Sequence, residues 1–254
     1  MEVTPQKYIE NAIYLYGVHE PAATLWVLSF LQPGDAFVDV GANIGYFSLL
    51  AAHRVGVSGA VVAFEPVDHL RERLEKHLTA NNLGGVVVRS EAVSNTAGTV
   101  DFYETSWSLN EGLGSLLPPH PGAKKRVVPT VTLDTVAPHV PGRTLVKVDV
   151  EGAEALVLEG ARPWLASDGG PALLFECHNP AEVIPPLEDI GYTVLGMRLD
   201  FLRGLEFPSW KDLRKADLPG HEAVNYIALK RPMLSILPSI ARATRWPARV
   251  RMRW

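Results

Sequence analysis

Cysteine is nearly absent from this chain, which has one, Cys177, among 254 residues. A single cysteine excludes an internal disulfide and a cysteine-rich zinc module. Long apolar runs are missing as well: the longest lie around residues 25–31 and 55–64, and a membrane-spanning helix needs about 20 such residues. The start of the chain has no basic stretch followed by an apolar core, so we predict no secretory signal and a cytoplasmic location.

Acidic residues are absent from residues 230–254, which hold seven Lys or Arg. The rest of the chain holds 17 basic and 28 acidic residues. The net charge of −4 is therefore the sum of a negatively charged body and a positively charged C-terminal end. An acidic body argues against a nucleic-acid partner. The apolar share of 47% argues against a disordered chain, and the length favours one large domain.

The basic end allows two interpretations. Arginine charge combined with tryptophan suits peripheral contact with a membrane or with an acidic partner. The alternative is a solvated C-terminal end. The residues concerned lie within 242–254 and are Arg242, Arg245, Trp246, Arg249, Arg251, Arg253 and Trp254.

Short apolar runs alternate with helical periodicity along the middle of the chain. Runs that are apolar at every position are typical of parallel strands that helices cover on both faces. The predicted strands and intervening helices are residues 36–40, 46–55 (helix), 60–64, 68–81 (helix), 86–88, 144–150, 153–165 (helix) and 172–176. Residues 99–103 and 127–131 are β-like, and 192–197 with 223–229 would form a closing antiparallel pair.

This alternation predicts an α/β fold: a Rossmann-like sheet of about seven mostly parallel strands, with an antiparallel last strand. Residues 1–34 show helical periodicity and would form a lid or substrate segment. Residues 35–230 would form the cofactor-binding domain, and residues 231–254 a basic C-terminal tail. The sequence leaves the oligomeric state open.

A glycine-rich turn, VDVGANIGY at residues 38–46, joins the first predicted strand to the first helix of the sheet. Glycines allow a positive φ and a close ligand approach, and the helix start offers free N–H groups, as in nucleotide-binding turns. The turn lacks the G-x-G-x-x-G dinucleotide fingerprint and the Gly-Lys-Ser/Thr ending of a P-loop. We therefore expect a nucleotide-like ligand of another kind.

Two carboxylates flank this turn. Asp39 precedes it and suits a ligand with a cationic end, whereas Glu65 ends the second strand, where a carboxylate accepts two ribose hydroxyls. A ribose and a positive charge without phosphate describe S-adenosylmethionine. The alternative is that the glycines only shape a tight turn and Glu65 only caps a helix.

Three motifs together resemble the FkbM family of S-adenosylmethionine-dependent methyltransferases: DVGANIGYFS from Asp39, AFEP from Ala63 and VKVDVEGAE from Val146. The first motif fits many class I methyltransferases, whereas DVEGAE is much more specific. The resemblance covers roughly residues 20–180. It implies a class I methyltransferase fold and O-methylation of hydroxyls on sugars or polyketide-type natural products.

The resemblance also implies roles for particular residues. It implies that Gly41, Asn43 and Gly45 hold the methionine part of the cofactor. Glu65 would bind the ribose, and Glu91 and Ala92 would border the adenine. Asp149 would face the cofactor crevice at the carboxyl edge of the sheet. The family's glycine- and serine-rich loop would correspond to residues 112–116.

Methyl transfer to a hydroxyl requires alignment of the acceptor and usually a base for its proton. Glu151, two residues after Asp149, is one candidate base, and its alternative role is to cap the following helix. His178, at the end of a strand, is the second candidate, and its alternative is a loop histidine bonded to a carbonyl. Glu176, two residues earlier, is the third. Residues 1–30 and 104–126 would build the pocket for a hydroxylated small-molecule acceptor.

Two further chemistries receive less support from the sequence. Two interpretations apply to Glu176: it shares a face with His178, or it pairs with Lys147 or an arginine. Asp149, Glu151, Glu176 and His178 would in principle hold Mg²⁺. Nothing in the sequence requires a metal, and we predict none. Cys177, flanked by apolar residues, is expected to pack rather than react. Alternatives to O-methylation are N- or C-methylation of a small molecule or peptide and a non-catalytic cofactor-binding scaffold.

Overall fold

The computed structural model describes residues 1–104, 114–116, 124–136, 142–177, 179–200, 203–212 and 224–244. The chain begins with two helices, α1 (Tyr8–Tyr16) and α2 (Pro21–Phe30), which agrees with the predicted helical character of residues 1–34. Helix α2 begins with Pro21, a residue whose fixed φ suits the first helical position.

A seven-stranded sheet forms the centre of the molecule, as predicted. Its strands are β1 (Ala36–Val40), β2 (Ala60–Phe64), β3 (Val87–Arg89), β8 (Thr144–Val148), β9 (Ala172–Cys177), β10 (Tyr192–Gly196) and β13 (Val224–Lys230), numbered along the chain together with the shorter strands given below. The spatial order is β10-β13-β9-β8-β1-β2-β3. All neighbours pair in parallel except β13, which is antiparallel to both β9 and β10.

Helices cover both faces of this sheet because its strands are apolar on both sides. The helices that follow α2 are α3 (Tyr46–Val55), α4 (Asp68–Ala80), α5 (Glu154–Glu159), α6 (Arg162–Ala166) and α7 (Pro180–Asp189). Side chains of α2 and α3 pack with Phe37, Leu145 and Leu174 on one face. Side chains of α5, α6 and α7 pack with Val38 and Val146 on the other.

The single helix predicted over residues 153–165 is wrong in one respect, because the chain forms two short helices, α5 and α6, on either side of Gly160 and Ala161. A Cβ atom at Gly160 would collide with the carbonyl oxygen of Ser94. The break therefore lets the backbone pack closely against the segment that follows β3.

A separate four-stranded sheet lies beside the main one, with the order β4-β7-β5-β6. Its strands are β4 (Ala92–Val93), β5 (Gly98–Glu104), β6 (Gly114–Ser115) and β7 (Lys124–Val131). The sequence predicted β5 and β7 as strands but not their separation from the main sheet. A short hairpin, β11 (Arg198–Asp200) with β12 (Gly204–Glu206), follows β10.

The segment from residue 231 is folded where the structure describes it. A 3₁₀ helix (Arg231–Ile236) leads into α8 (Leu237–Ala243), and Ile240 packs into the core between the main sheet and α2. The backbone N–H of Leu205 donates to Thr244 Oγ1 over 2.9 Å. The predicted tail at 231–254 is therefore corrected for residues 231–244, which have apolar side chains to bury. Residues 245–254 lie outside the described residues.

Candidate active site

The glycine-rich turn lies at the carboxyl edge of the sheet, between β1 and α3. Gly41, Asn43 and Gly45 all have positive φ angles, of 83°, 51° and 89°. A Cβ atom at Gly41 would collide with the carbonyl oxygen of Asp149. Glycine is therefore required at this position, both for its φ and because the end of β8 lies directly against it.

Glu65, at the end of β2, holds this turn in place. Its Oε2 accepts a hydrogen bond from the backbone N–H of Asn43 over 2.7 Å, and its Oε1 accepts one from Val67 over 2.8 Å. Burial raises the pKa of Glu65 to about 7, although both backbone donors oppose the shift. The carboxylate lines the cavity described next, the position expected for a ribose ligand.

One cavity of about 880 Å³ opens at this edge of the sheet. The ends of β1, β2 and β8 form its floor, and α1 with the start of α2 forms its roof. Of the residues predicted to contact the cofactor, those that line the cavity are Gly41, Asn43, Glu65, Glu91, Ala92 and Asp149. Leu116, from the predicted glycine- and serine-rich loop, also lines it, and residues 112 and 113 lie outside the described residues.

Asp39 and Gly45 are not among the residues that line the cavity, so their predicted contact with the cofactor stays a prediction. Asp39 is completely buried in β1 and accepts a hydrogen bond from the Ser48 hydroxyl over 2.6 Å. Gly45 faces helix α4, where a Cβ atom would collide with the side chain of Leu74. Both residues therefore support the turn on the side that faces away from the cavity.

Lys147 lines the cavity and lies between two of the carboxylates. Its Nζ lies 2.8 Å from Asp149 Oδ2, 3.9 Å from Asp39 Oδ1 and 5.0 Å from the centre of the Phe47 ring. Burial by itself would lower the pKa of Lys147, but the charges of Asp149, Asp39 and Glu20 raise it well above its usual range. The ammonium group therefore stays charged inside the protein.

Of the three candidate bases, Glu151 and Glu176 can be placed, and both line the cavity. Glu151 has a φ of 34° and lies in the turn between β8 and α5. Its alternative role as a helix cap is not seen, since α5 has no side-chain cap and Glu154 instead accepts a hydrogen bond from the Gly152 N–H over 2.9 Å. His178 lies outside the described residues. Burial raises the pKa of the neighbouring Cys177 thiol to about 11, which agrees with a packing role.

Sequence reasoning named one acid of the site, Glu176, and missed another acid and an amide. Glu20, Glu176 and Asn225 all line the cavity, and carboxylate oxygens of Glu20, Asp149 and Glu176 lie within 4.8 Å of one another. The signal for Glu20 in the sequence was weak, since it only precedes a helix-starting proline. Their convergence depends on strand pairing, which places Glu176 beside Asn225.

The cavity fits S-adenosylmethionine in its chemistry. A buried carboxylate, Glu65, faces into it for the ribose, and the sharp glycine turn exposes backbone beside Asp149. The acidic lining suits a ligand that carries sulfonium and ammonium charges.

The sheet order, the turn and the cavity together define a Rossmann-like, S-adenosylmethionine-dependent methyltransferase. More specifically, the chain belongs to the FkbM family, because the model of the methyltransferase FkbM domain matches residues 39–194. The family and the cofactor predicted from the sequence motifs are thereby confirmed.

Two solved structures share this fold. A methyltransferase FkbM from Methylobacillus flagellatus KT is 17% identical with a TM-score of 0.52, and the match covers 85% of this chain and 50% of that chain. An rRNA-methylase described as putative, from Clostridium thermocellum, is 12% identical with a TM-score of 0.52, and the match covers 82% of this chain and 93% of that one.

Among curated proteins, the chain is similar to 23S rRNA (uracil(1939)-C(5))-methyltransferase RlmD of Acinetobacter baumannii (strain SDF). The two are 35% identical over 95 residues, which is 37% of this chain. The chain thus matches only 19% of the length of that relative. Within the described residues, none of the helices has the length and apolar character needed to cross a membrane.

Proposed function

We propose that this methyltransferase transfers the methyl group of S-adenosylmethionine to a hydroxyl of a small molecule, such as a sugar or a polyketide-type natural product. The observation that carries the proposal is the single cavity that joins the glycine turn to a group of carboxylates. The first end suits the cofactor and the second end suits a hydroxylated acceptor.

At the cofactor end, the chain supplies binding and orientation. Bound S-adenosylmethionine supplies a methyl group already activated on a sulfonium sulfur. The Glu65 carboxylate accepts hydrogen bonds from the ribose hydroxyls, and Glu91 and Ala92 border the adenine. Asp149, at the tip of β8, lines the same cavity.

At the acceptor end, the lining combines carboxylates with aromatic rings. Glu20 and Glu151 accept hydrogen bonds from acceptor hydroxyls, since an ionised carboxylate has only acceptor groups. Tyr8, Tyr16 and Tyr46 also line the cavity and offer flat apolar faces for a sugar ring or a carbon skeleton. This combination supports a polyhydroxylated acceptor, with Glu151 or His178 as candidate bases.

RNA is less well supported as the acceptor, although two of the similar proteins are named as rRNA methylases. The shared segment of RlmD spans only 95 residues. Three carboxylates lie close together in the wall of the cavity, where they would repel a phosphate backbone.

The proposal is tested in two steps, cofactor binding and methyl transfer. Calorimetry should detect binding of S-adenosylmethionine, and Glu65→Ala should weaken it roughly ten- to hundredfold, because hydrogen bonds to a charged group contribute about 1.5–3 kcal/mol. Glu72→Ala, on the exposed side of α4, is the matched control and should bind normally. Mass spectrometry should then show a gained methyl group on sugars or polyketides incubated with enzyme and cofactor.

Absence of cofactor binding in the wild-type protein would overturn the proposal as a whole. Methylation of an amine or a carbon, with none of any hydroxyl, would refute the O-methyl assignment alone. Activity retained in both Glu151→Ala and His178→Ala would remove these two residues as bases and leave the acceptor class intact.

A further inference from the structure

A row of polar side chains crosses the main sheet at its carboxyl edge. The strand register pairs Lys147 with Asp39 and Glu176 with Asn225. Because side chains alternate along a strand, Asp149 lies on the same face as Lys147. Deeper on this face the residues are apolar and belong to the core beneath α2 and α3: Phe37, Leu145, Leu174 and Ile227.

The start of α2 closes over this row from above. Glu20 precedes the helix, and its Oε1 lies 3.2 Å from His19 Nε2. The side-chain amide of Asn225 donates to the other oxygen of Glu20 over 3.3 Å. Carboxylate oxygens of Glu20, Asp149 and Glu176 thus lie within 4.8 Å of one another in the wall of the cavity.

The three carboxylates differ in how they are partnered. Asp149 is paired with the Lys147 ammonium at 2.8 Å. Burial would raise the pKa of Glu20, but His19, Lys147 and Asn225 outweigh this effect and lower it. Glu176 accepts no hydrogen bond from any group among the described residues, so its carboxylate is free to bind an acceptor.

Resting on the proposed methyl transfer, we propose that Glu176 is the catalytic base, and that Lys147 acts as a positioning residue by holding Asp149 beside it. In the reaction, the acceptor oxygen forms a bond to the methyl carbon as the carbon–sulfur bond breaks and leaves its electron pair on sulfur. The proton of the acceptor hydroxyl passes to the Glu176 carboxylate. Of the three candidate bases that the sequence offers, Glu151, Glu176 and His178, this assignment selects Glu176.

The charges around Glu176 explain why it suits a proton-accepting role. Burial first, and then the negative charges of Asp149, Glu20 and Glu151, raise its pKa to about 8, against the opposing charge of Lys147. The charged and titratable groups that surround it come from β1, β8, the β8–α5 turn and the start of α2, and are Asp39, Lys147, Asp149, Glu151, His19 and Glu20.

Cofactor binding is therefore expected to activate the base. Before the cofactor binds, Glu176 holds a proton at neutral pH. A sulfonium brought into the same cavity favours the ionised carboxylate, so Glu176 loses its proton as the cofactor binds. S-adenosylhomocysteine has a neutral sulfur and lacks this effect, which provides a direct comparison.

The decisive measurement is calorimetry at pH 7 in buffers of different ionisation enthalpy. Wild-type protein should release more protons on binding S-adenosylmethionine than on binding S-adenosylhomocysteine. Taking the difference cancels the contribution of Glu65, which meets the ribose of both ligands. In Glu176→Gln this difference should disappear, and in Glu182→Gln, an exposed residue of α7, it should persist.

The second measurement is the rate of methylation of whichever hydroxylated acceptor is found. Glu176→Gln should lower kcat by roughly 10²- to 10⁴-fold, the usual contribution of a general base, with cofactor affinity changed by only a few-fold. Added EDTA or Mg²⁺ should leave the wild-type rate unchanged.

The outcomes separate this inference from the proposed function. An unchanged proton difference in Glu176→Gln, or a kcat close to that of wild type, would overturn the assignment of Glu176. A wild-type protein that binds the cofactor but methylates no hydroxyl would refute the acceptor class, and the calorimetric comparison would still decide the role of Glu176.

Discussion

At the scale of single residues, one buried lysine compensates the negative charges of the carboxylates next to it in the active site. Lys147 lies in the apolar strand β8 with its side chain 5% exposed, between Asp39 and Asp149. Asp39 Oδ1 has no hydrogen-bond donor in the described structure, so the ammonium 3.9 Å away is the group that compensates its charge. Two neighbouring strands therefore depend on one cation.

Replacing Lys147 by methionine should destabilise the protein by about 3–5 kcal/mol, because removing one partner of a buried ion pair leaves the other charge uncompensated. The measurement is the free energy of unfolding in urea. The loss should be larger at pH 8 than at pH 5.5, since the carboxylates left behind are relieved when they bind protons.

Lys125→Met is the control for this change. Lys125 forms an ion pair with Asp101 at 2.7 Å on the exposed surface of β5 and β7, so its loss should leave the unfolding midpoint unchanged. Equal stability of Lys147→Met and wild type would show that Asp39 and Asp149 do not need a buried cation.

The sequence identified site residues that follow a strand directly, and it missed those that arrive from elsewhere in the chain. Glu65 and Asp149 could be placed because parallel strands end at the same edge of a sheet. Glu20 could not, because its position depends on how α2 packs across the sheet. Asn225 likewise depends on the insertion of β13 next to β9, which no local pattern reveals.

Element boundaries at the scale of helices and strands followed the sequence most closely where burial is complete. Strands β1 and β2 and helix α3 have the predicted bounds, because glycines mark the end of β1, the start of β2 and both ends of α3. The second sheet could not be separated from the first in the same way. Pairing of β5 with β7 is set by tertiary contacts, and both strands carry charged residues among the apolar ones.

Helix α1, which roofs the cavity, buries only one of its side chains, Glu10, and is therefore prone to local opening. Its buried Glu10 receives a hydrogen bond from the backbone N–H of Thr4 and pairs with Arg73 of α4 at 2.6 Å. Although burial alone would raise the pKa of Glu10, these partners lower it. The pair therefore fastens the roof to the sheet domain.

Glu10→Gln should weaken the attachment of α1 to α4 while the rest of the fold stays intact. Hydrogen bonds to charged groups contribute about 1.5–3 kcal/mol, so α1 should open roughly ten- to hundredfold more often. Hydrogen exchange should accelerate at the amides of α1 and remain unchanged in the central strands. Cofactor affinity should fall as well, since α1 lines the cavity.

Glu75→Gln is the matched control, because Glu75 lies on the exposed side of the same helix as Arg73. It should show wild-type exchange. If Glu10→Gln also exchanges like wild type, the contacts of Glu10 do not hold the roof.

At the scale of the whole molecule, the basic charge of the C-terminal segment was a poor guide to its structure. The basic residues after Lys230 suggested a tail, but apolar residues are interleaved with them up to residue 244. Met233, Leu234, Ile236 and Leu237 pack against the core beneath α2, and Ile240 is 2% exposed. The C-terminal segment thus extends the core across the start of the chain, from α2 to the β11–β12 hairpin.

This packing predicts where the chain tolerates shortening. A chain that ends at residue 230 should melt several degrees lower than one that ends at residue 244, because the shorter chain exposes the apolar surface of α2 and β12. Ile240→Ala tests the same contact in the full chain and should cost about 2–5 kcal/mol, the usual range for a buried isoleucine. Ser239→Ala, exposed on the same helix, should be neutral. A neutral Ile240→Ala, or equal melting of the two shortened chains, would show that α8 contributes nothing to the stability of the core.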